Sequence, residues 1–294
     1  MADAPEIRRL GVVGCGLMGS GIAEVASRAG LDVVVREVDA GACEAGRARI
    51  EASLARAVRS GKLDEAGEQE TLDRIGFTTD FAGLADRQVV IEAVIEDEAD
   101  KTAVFATLDK VVTDGDAILA SNTSSIPIMK LAMATARPES VVGIHFFNPV
   151  PVLKLVEIVP SLLTSEATIG RAEGLAAGML GKRVIRSKDR AGFVVNALLI
   201  PYLLSAVRML ESGFATAGDI DAGMVEGCAH PMGPLALADL IGLDTTMAVA
   251  RSLYEEFKEP LFAPPPLLSR MVDAGLLGRK TGRGFYDYSH RPAE

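Results

Sequence analysis

The chain has 294 residues, 49% of them hydrophobic and 24% charged, with a formal net charge of −10 and a pI of about 5.0. That length and apolar content suit two domains with sizeable cores; the acidic balance argues against non-specific nucleic-acid or anionic-membrane partners, so a polyanionic ligand would need a local basic patch. Cys15, Cys43 and Cys228 are odd in number and lack metal-ligand spacing, which predicts no metal and fits a reduced, cytoplasmic compartment.

The first residues carry no long apolar core after a basic start, so no signal peptide is expected. The most membrane-like run, residues 191–210, is interrupted by Asn196, Pro201 and Arg208 and reads as a buried or subunit-interface helix. Arg9–Val13 is a short strand-like run leading into Gly14-Cys15-Gly16-Leu17-Met18-Gly19, a G-x-G-x-x-G motif. A helical stretch over residues 20–29 follows, Gly30 closes it, and a second strand spans residues 31–35. Strand, glycine turn, helix, strand is the context of a dinucleotide fingerprint. Gly14 permits the tight turn, Gly16 lets backbone approach a pyrophosphate, and Gly19 lets helix and strand pack. The helix start then offers free N–H groups to the phosphates. Glu37 lies 18 residues past Gly19 at the end of the second strand, where an acid binds ribose hydroxyls and repels a 2′-phosphate. That favours NAD over NADP. Alternation along the strand is expected to turn the neighbouring Arg36 away, and Asp39 is a weaker candidate for the same acid.

Residues 42–60 form an amphipathic helix with Ile50, Leu54, Ala57 and Val58 on one stripe. Arg49, Ser53, Arg56 and Ser60 share another face, and Arg59 and Lys62 follow near its end. This is the most basic surface of an acidic chain, either a solvated face or a seat for an anionic tail. Residues 61–74 read as a turn and second helix of the same insertion, residues 75–79 as a strand and residues 80–86 as a surface turn. Residues 88–95, with Glu92 inside an apolar run, read as a buried parallel strand. Glu96 and Lys101 at its carboxyl end are cofactor-site candidates.

A helix over residues 102–112 and a strand over 117–120 lead to Ser121-Asn122-Thr123-Ser124-Ser125. This cluster either caps the helix expected over 128–136 or places a hydroxyl in the site. Two apolar runs, residues 141–147 and 152–159, flank Asn148-Pro149-Val150-Pro151 and predict a hairpin. Facing residue numbers in an antiparallel pair have a constant sum, so a centre near Val150–Pro151 sets His145 opposite Glu157. A carboxylate facing an imidazole fixes its tautomer and stabilises its cation, which prepares a general base; a structural pair is the plainer alternative. A helix over 165–182 and a strand over 184–186 complete the first domain, with a boundary near residues 188–190. The rest reads as helical, with turns at Gly213, Gly218, residues 230–234 and Gly242. The expected fold is therefore α/β: a Rossmann-type doubly wound sheet over residues 1–188, with a helical insertion and terminal antiparallel hairpin, then an all-α domain over residues 189–294.

The glycine fingerprint, Ser121 to Ser125, the His145…Glu157 hairpin and Asn196 after Gly192-Phe193-Val194, in this order and spacing, resemble the 3-hydroxyacyl-CoA dehydrogenase family, its short-chain 3-hydroxybutyryl-CoA members in particular. The resemblance runs over nearly the whole chain. It implies His145 as catalytic base, Glu157 as the acid that orients it, Ser124 as a hydroxyl touching substrate and cofactor, and Asn196 as an amide near the reacting oxygen. It implies NAD contacts at the Gly14–Gly19 loop, Leu17 and Met18 included, and at Glu96, Lys101, Asn148 and Lys280, and it sets Glu37 on a ribose acid that is usually Asp in the animal enzymes. Ser53 matches a coenzyme A contact. The family's lysine further along the insertion is replaced by Ser60, leaving Arg56, Arg59 or Lys62 to substitute. An acyl-CoA substrate and a homodimer through the helical domain are implied, with no nucleic-acid or membrane partner. The competing expectations are a β-hydroxyacid dehydrogenase acting on free acids and a non-catalytic, crystallin-like member of the family.

Overall fold

The computed structural model describes residues 7–289. The chain divides into two compact units, Met1–Arg190 and Ala191–Glu294, each with its own apolar core.

The first unit runs β1 (Arg9–Val13), α1 (Leu17–Arg28), β2 (Asp32–Arg36), α2 (Ala40–Arg59), α3 (Glu65–Asp73), β3 (Ile75–Thr78), β4 (Val89–Glu92), α4 (Glu98–Val111), β5 (Ile118–Ser121), α5 (Ile128–Ala132), β6 (Val141–Phe146), β7 (Leu155–Pro160), α6 (Glu166–Glu173) and β8 (Arg183–Arg186). They build one sheet in the order β3-β2-β1-β4-β5-β6-β7-β8. Neighbours from β3 to β6 pair in parallel, β6 and β7 antiparallel, β7 and β8 in parallel. The order reverses at β1, between β2 and β4. A crevice therefore opens at the carboxyl ends of β1 and β4, where parallel sheets bind ligands. Strands β4 and β5 are buried at every position, as expected for strands covered on both faces. The glycine turn is sterically fixed. Gly14 has φ +90°, and a Cβ on Gly19 would lie 1.8 Å from the Gly14 carbonyl oxygen, so α1 packs onto the turn only without that carbon.

Several expected boundaries shift, each for a local reason. The second hairpin strand begins at Leu155, not Val152. The intervening residues fold back on Pro149, whose carbonyl takes the N–H groups of Val152 and Leu153 at 3.0 and 2.9 Å. The Lys182 ammonium donates to the Val150 and Leu153 carbonyls at 2.5 and 2.8 Å, so these oxygens are unavailable to a ladder. The Asn148–Pro149 peptide is cis. The helix expected over 165–182 is α6 followed by a π-helical turn, Gly174–Met179, in a segment where Gly174 and Gly178 weaken the α form. Residues 133–136 leave the helix after α5, where the Thr135 hydroxyl bonds the Ala132 carbonyl.

The second unit comprises α7 (Val195–Glu211), α8 (Ala217–Cys228), α9 (Pro234–Ile241), α10 (Leu243–Phe257) and α11 (Pro266–Asp273). Gly218, expected at a turn, lies inside α8, because Thr216 caps that helix through Asp219 N–H. Buried acids tie the segment after α11 to the helices. Asp221 caps α9 through Leu235 and Ala236 N–H and takes the Tyr286 hydroxyl, all within 2.9 Å. Asp239 takes Phe285 and Tyr286 N–H at 3.0 Å. Among the described residues no helix is long and apolar enough to cross a membrane.

Candidate active site

The crevice predicted by the sheet order holds a cavity of about 520 Å³, lined among others by Gly14, Gly16, Arg36, Glu37, Phe81 and Val94. Helix α1 starts at Leu17, and Gly16 before it provides no side-chain cap, which leaves the first N–H groups, those of Leu17 and Met18 among them, for an anion. A Cβ on Gly16 would meet nothing within 4 Å, so the space above the turn is open to a ligand. Glu37 is fixed beside it: Oε1 accepts from Cys15 N–H and Oε2 from Val38 N–H at 3.0 Å. A carboxylate retains lone pairs for ribose hydroxyls after two such bonds. The residues present thus fit a dinucleotide whose pyrophosphate meets α1 and whose ribose meets Glu37.

Two expectations about this cavity change. Arg36 lines it together with Glu37, although strand alternation set them on opposite faces. β2 ends at Arg36, so Glu37 has left the pleat and follows its own hydrogen bonds; the Arg36 guanidinium stacks 4.0 Å above the Phe81 ring. Asp39 is the cap of α2, accepting from Ala42 N–H at 2.8 Å.

At the carboxyl end of β4 the structure forms a buried polar network. Lys101, expected as a direct cofactor contact, is 1% exposed, with its ammonium 2.6 Å from Glu92 Oε1 and 3.2 Å from Glu96 Oε2. Glu92 also accepts from Val94 N–H at 2.7 Å and from the Ser121 hydroxyl at 2.6 Å. Glu96 Oε1 gathers the Thr123 hydroxyl and the N–H groups of Ser124 and Ser125 at 2.9 and 3.1 Å. Burial pushes the Glu96 carboxyl up, but Lys101 and these donors outweigh it and hold its pKa below the ordinary value. Full satisfaction makes such a network rigid. The serine cluster is thereby wrapped around Glu96 and does not cap α5, whose first N–H groups go to Asp189 at 2.7 and 2.8 Å. Thr123 belongs to the hydroxyl cluster that the sequence offers to the site, whereas Glu92 is signalled only as a charge inside an apolar strand.

The hairpin register pairs His145 with Glu157. His145 Nδ1 lies 2.8 Å from Glu157 Oε2, and the two residues are 3% and 0% exposed. An ionised carboxylate only accepts, so Nδ1 carries the proton and Nε2 keeps its lone pair. On that side the Ser124 hydroxyl lies 3.0 Å from Nε2, held there by the loop around Glu96. Asn122 Oδ1 accepts from Phe146 N–H at 2.9 Å, fixing the same loop to β6. The result is a hydroxyl, an imidazole and a carboxylate in series, able to take a proton from an alcohol that replaces or joins Ser124 at Nε2.

In the insertion, Ser53, Arg56 and Arg49 line a second cavity of about 200 Å³ together with Asn148. Lys62 and Arg59 are exposed beyond it, and Ser60 bonds the Ala57 carbonyl at 3.0 Å. Asn196 is half-buried at the second position of α7, and Lys280 pairs with Asp244; both belong to the second unit.

A family model described as 3-hydroxyacyl-CoA dehydrogenase, NAD binding domain, matches residues 9–190, and one described as 3-hydroxyacyl-CoA dehydrogenase, C-terminal domain, matches residues 192–288. The chain belongs to the 3-hydroxyacyl-CoA dehydrogenase family. Within it, the chain is 61% identical over 288 residues to 3-hydroxybutyryl-CoA dehydrogenase of Mycobacterium tuberculosis, covering 98% of this chain and 100% of that protein. It superposes on the crystal structure of M. tuberculosis FadB2 with a TM-score of 0.96 at 60% identity, over 97% of this chain and 100% of that one. The crystal structure of (S)-3-hydroxybutyryl-CoA dehydrogenase from Ralstonia eutropha gives a TM-score of 0.90 at 46% identity, over 96% and 99%.

Proposed function

We propose that the chain interconverts a short-chain 3-hydroxyacyl-CoA and its 3-ketoacyl-CoA with NAD, His145 serving as the proton acceptor and donor. The observation that carries this reading is the Ser124–His145–Glu157 series, with separations of 3.0 and 2.8 Å. The oxidised nicotinamide takes up hydride when bound. Nε2 of His145 takes the alcohol proton as the C–H bond breaks, and Glu157 stabilises the imidazolium formed. The Ser124 hydroxyl orients the substrate oxygen at Nε2, and Asn196 is assigned to the same oxygen by the family's pattern. In the reverse direction the imidazolium returns the proton to the ketone. Glu37 beside the ribose and Arg36 engaged over Phe81 favour NAD over NADP. Arg56, Arg59 and Lys62 supply positive charge for the coenzyme A phosphates, and Glu96, Asn148 and Lys280 hold the cofactor, Lys101 acting through Glu96. Residues 1–188 are read as the cofactor domain and residues 189–294 as the substrate-covering domain of a cytoplasmic enzyme.

His145→Gln is expected to lower turnover of acetoacetyl-CoA by roughly 10²–10⁴-fold with NADH binding intact. Near-normal turnover in the variant removes His145 from this role. Rates with free 3-hydroxybutyrate and NAD separate the thioester from the free-acid reading. We further propose a homodimer through the second unit, where Leu198 and Phe214 are 75% and 77% exposed on the single chain; sedimentation that found only monomer at micromolar concentration would remove it.

A further inference from the structure

Glu92 ends β4 in the middle of the sheet, in register with Val13 of β1 and Ser121 of β5, and is 0% exposed. Packing alone would put an apolar residue there, as at Val89, Val90 and Ile91, and a buried carboxylate is costly unless it is paired and hydrogen-bonded. Glu92 meets that condition on both oxygens. Oε1 accepts from Val94 N–H at 2.7 Å and from the Lys101 ammonium at 2.6 Å, and Oε2 accepts from the Ser121 hydroxyl at 2.6 Å. Its partners lead to one place. The Ser121 hydroxyl accepts from Thr123 N–H at 3.1 Å. The Lys101 ammonium reaches Glu96 Oε2 at 3.2 Å, and Glu96 Oε1 accepts from Ser124 N–H at 2.9 Å. Two separate routes thus run from Glu92 to consecutive residues of the loop that carries the Ser124 hydroxyl.

The order of support runs outward from the sheet. Glu96 lies between β4 and α4, outside the strand ladder, so its carboxylate has no strand to fix it. Lys101 is an ammonium on a flexible four-carbon stem and takes its direction from the carboxylates it joins. Glu92 belongs to a strand held on both sides by the parallel ladder. The far end of the chain is the 3.0 Å separation between the Ser124 hydroxyl and His145 Nε2. A displacement of about 1 Å in a group that orients a reacting atom can cost about 10²-fold in rate. We propose that Glu92 is a positioning residue for the reaction: through Ser121 on one side and Lys101 with Glu96 on the other, its carboxylate sets the place of the Ser124 hydroxyl at Nε2. Glu92 itself touches neither substrate nor cofactor. This rests on the acyl-CoA activity proposed above.

Glu92→Gln keeps the shape and removes the charge. Both oxygens of Glu92 accept, so the amide nitrogen meets a donor whichever way it is turned. The test is steady-state reduction of acetoacetyl-CoA by NADH in two backgrounds, wild type and Ser124→Ala. In the wild-type background Glu92→Gln is expected to lower kcat by roughly 10- to 100-fold, with KM for NADH and for acetoacetyl-CoA within about threefold. In the Ser124→Ala background the hydroxyl is already gone, so the same substitution should change kcat by less than about twofold, the non-additivity of residues acting as one unit. An unchanged kcat in Glu92→Gln overturns the assignment. So does an equal loss in both backgrounds, which would make Glu92 a prop for the fold, and so does a loss carried by KM for NADH. Should Glu92→Gln not fold, Glu92→Asp, which keeps the charge one methylene short of its partners, is read in the same two backgrounds. Wild-type protein that does not reduce acetoacetyl-CoA at all would overturn the activity itself and this proposal with it, whereas normal wild-type turnover with equal losses in both backgrounds sinks only Glu92.

Discussion

Gly16 and Gly19 sit three residues apart in one motif and are constrained by different things. The Cβ of an alanine at Gly19 would stand 1.8 Å from the Gly14 carbonyl oxygen, a backbone atom that cannot swing aside. At Gly16 the same carbon would meet no protein atom within 4 Å, and the backbone there, at φ −65°, suits any residue. Protein packing therefore demands the third glycine, and only an incoming ligand demands the second. Gly19→Ala is expected to lower the melting temperature and NADH affinity together, because α1 must shift off the turn. Gly16→Ala is expected to melt like the wild type while its NADH affinity falls by about tenfold or more, the cost of a methyl group against a phosphate. Thermal melts beside NADH fluorescence titrations separate the two. Wild-type affinity in Gly16→Ala would mean that no phosphate approaches this turn.

At the scale of elements, the parts of the site readable from sequence obey local arithmetic. The fingerprint is a contiguous run whose glycines answer to backbone geometry. The juxtaposition of His145 and Glu157 follows from where the Pro149-Pro151 break falls, since pairing across a hairpin is fixed once its centre is known. What escaped depends on contacts between segments far apart in the chain. Lys101 reads from its local sequence as a cofactor-site candidate, whereas its ammonium is buried between Glu92 of β4 and Glu96. The late start of β7 depends on Lys182, 29 residues beyond the Leu153 carbonyl it binds, and no pattern around residue 152 could announce it. Arg36 and Glu37 share a cavity because the Glu37 carboxylate is held by Cys15 N–H, 22 residues upstream. Glu24 sits among small and apolar residues on α1, where a lone acid passes for a solvated one. Alternation and helical period describe an isolated element, and each fails where a long-range polar contact decides the side chain's direction.

Across the whole molecule, Glu24 and Glu96 are carboxyls of the candidate site's unit whose burial and partners pull in opposite directions, so the pH dependence of folding carries opposed contributions. Glu96, paired with Lys101 and three successive loop residues, has its pKa held below the ordinary 4.5. Its folded form binds protons less readily than the unfolded chain, so its stabilisation is complete above that value and is lost as pH falls through the lower folded one. Glu24, desolvated and incompletely paired, is raised above the same 4.5. It adds no penalty below that value, and it weakens the fold as pH rises through the higher folded one. Glu96→Gln is therefore expected to cost most melting temperature near neutrality, with the gap to wild type narrowing as pH falls below about 4.5. Glu24→Gln should show the reverse, a gain that is absent at pH 4, grows as pH rises above 4.5 and levels off once the raised folded value is passed. Melts of the three proteins across that range check both slopes; parallel curves would show that neither carboxyl titrates differently in the folded chain. The partial exposure of Glu96, 34% at the side chain, lets water and salt weaken its contribution, so added salt should flatten the acid limb of the wild type while leaving the Glu24 effect in place.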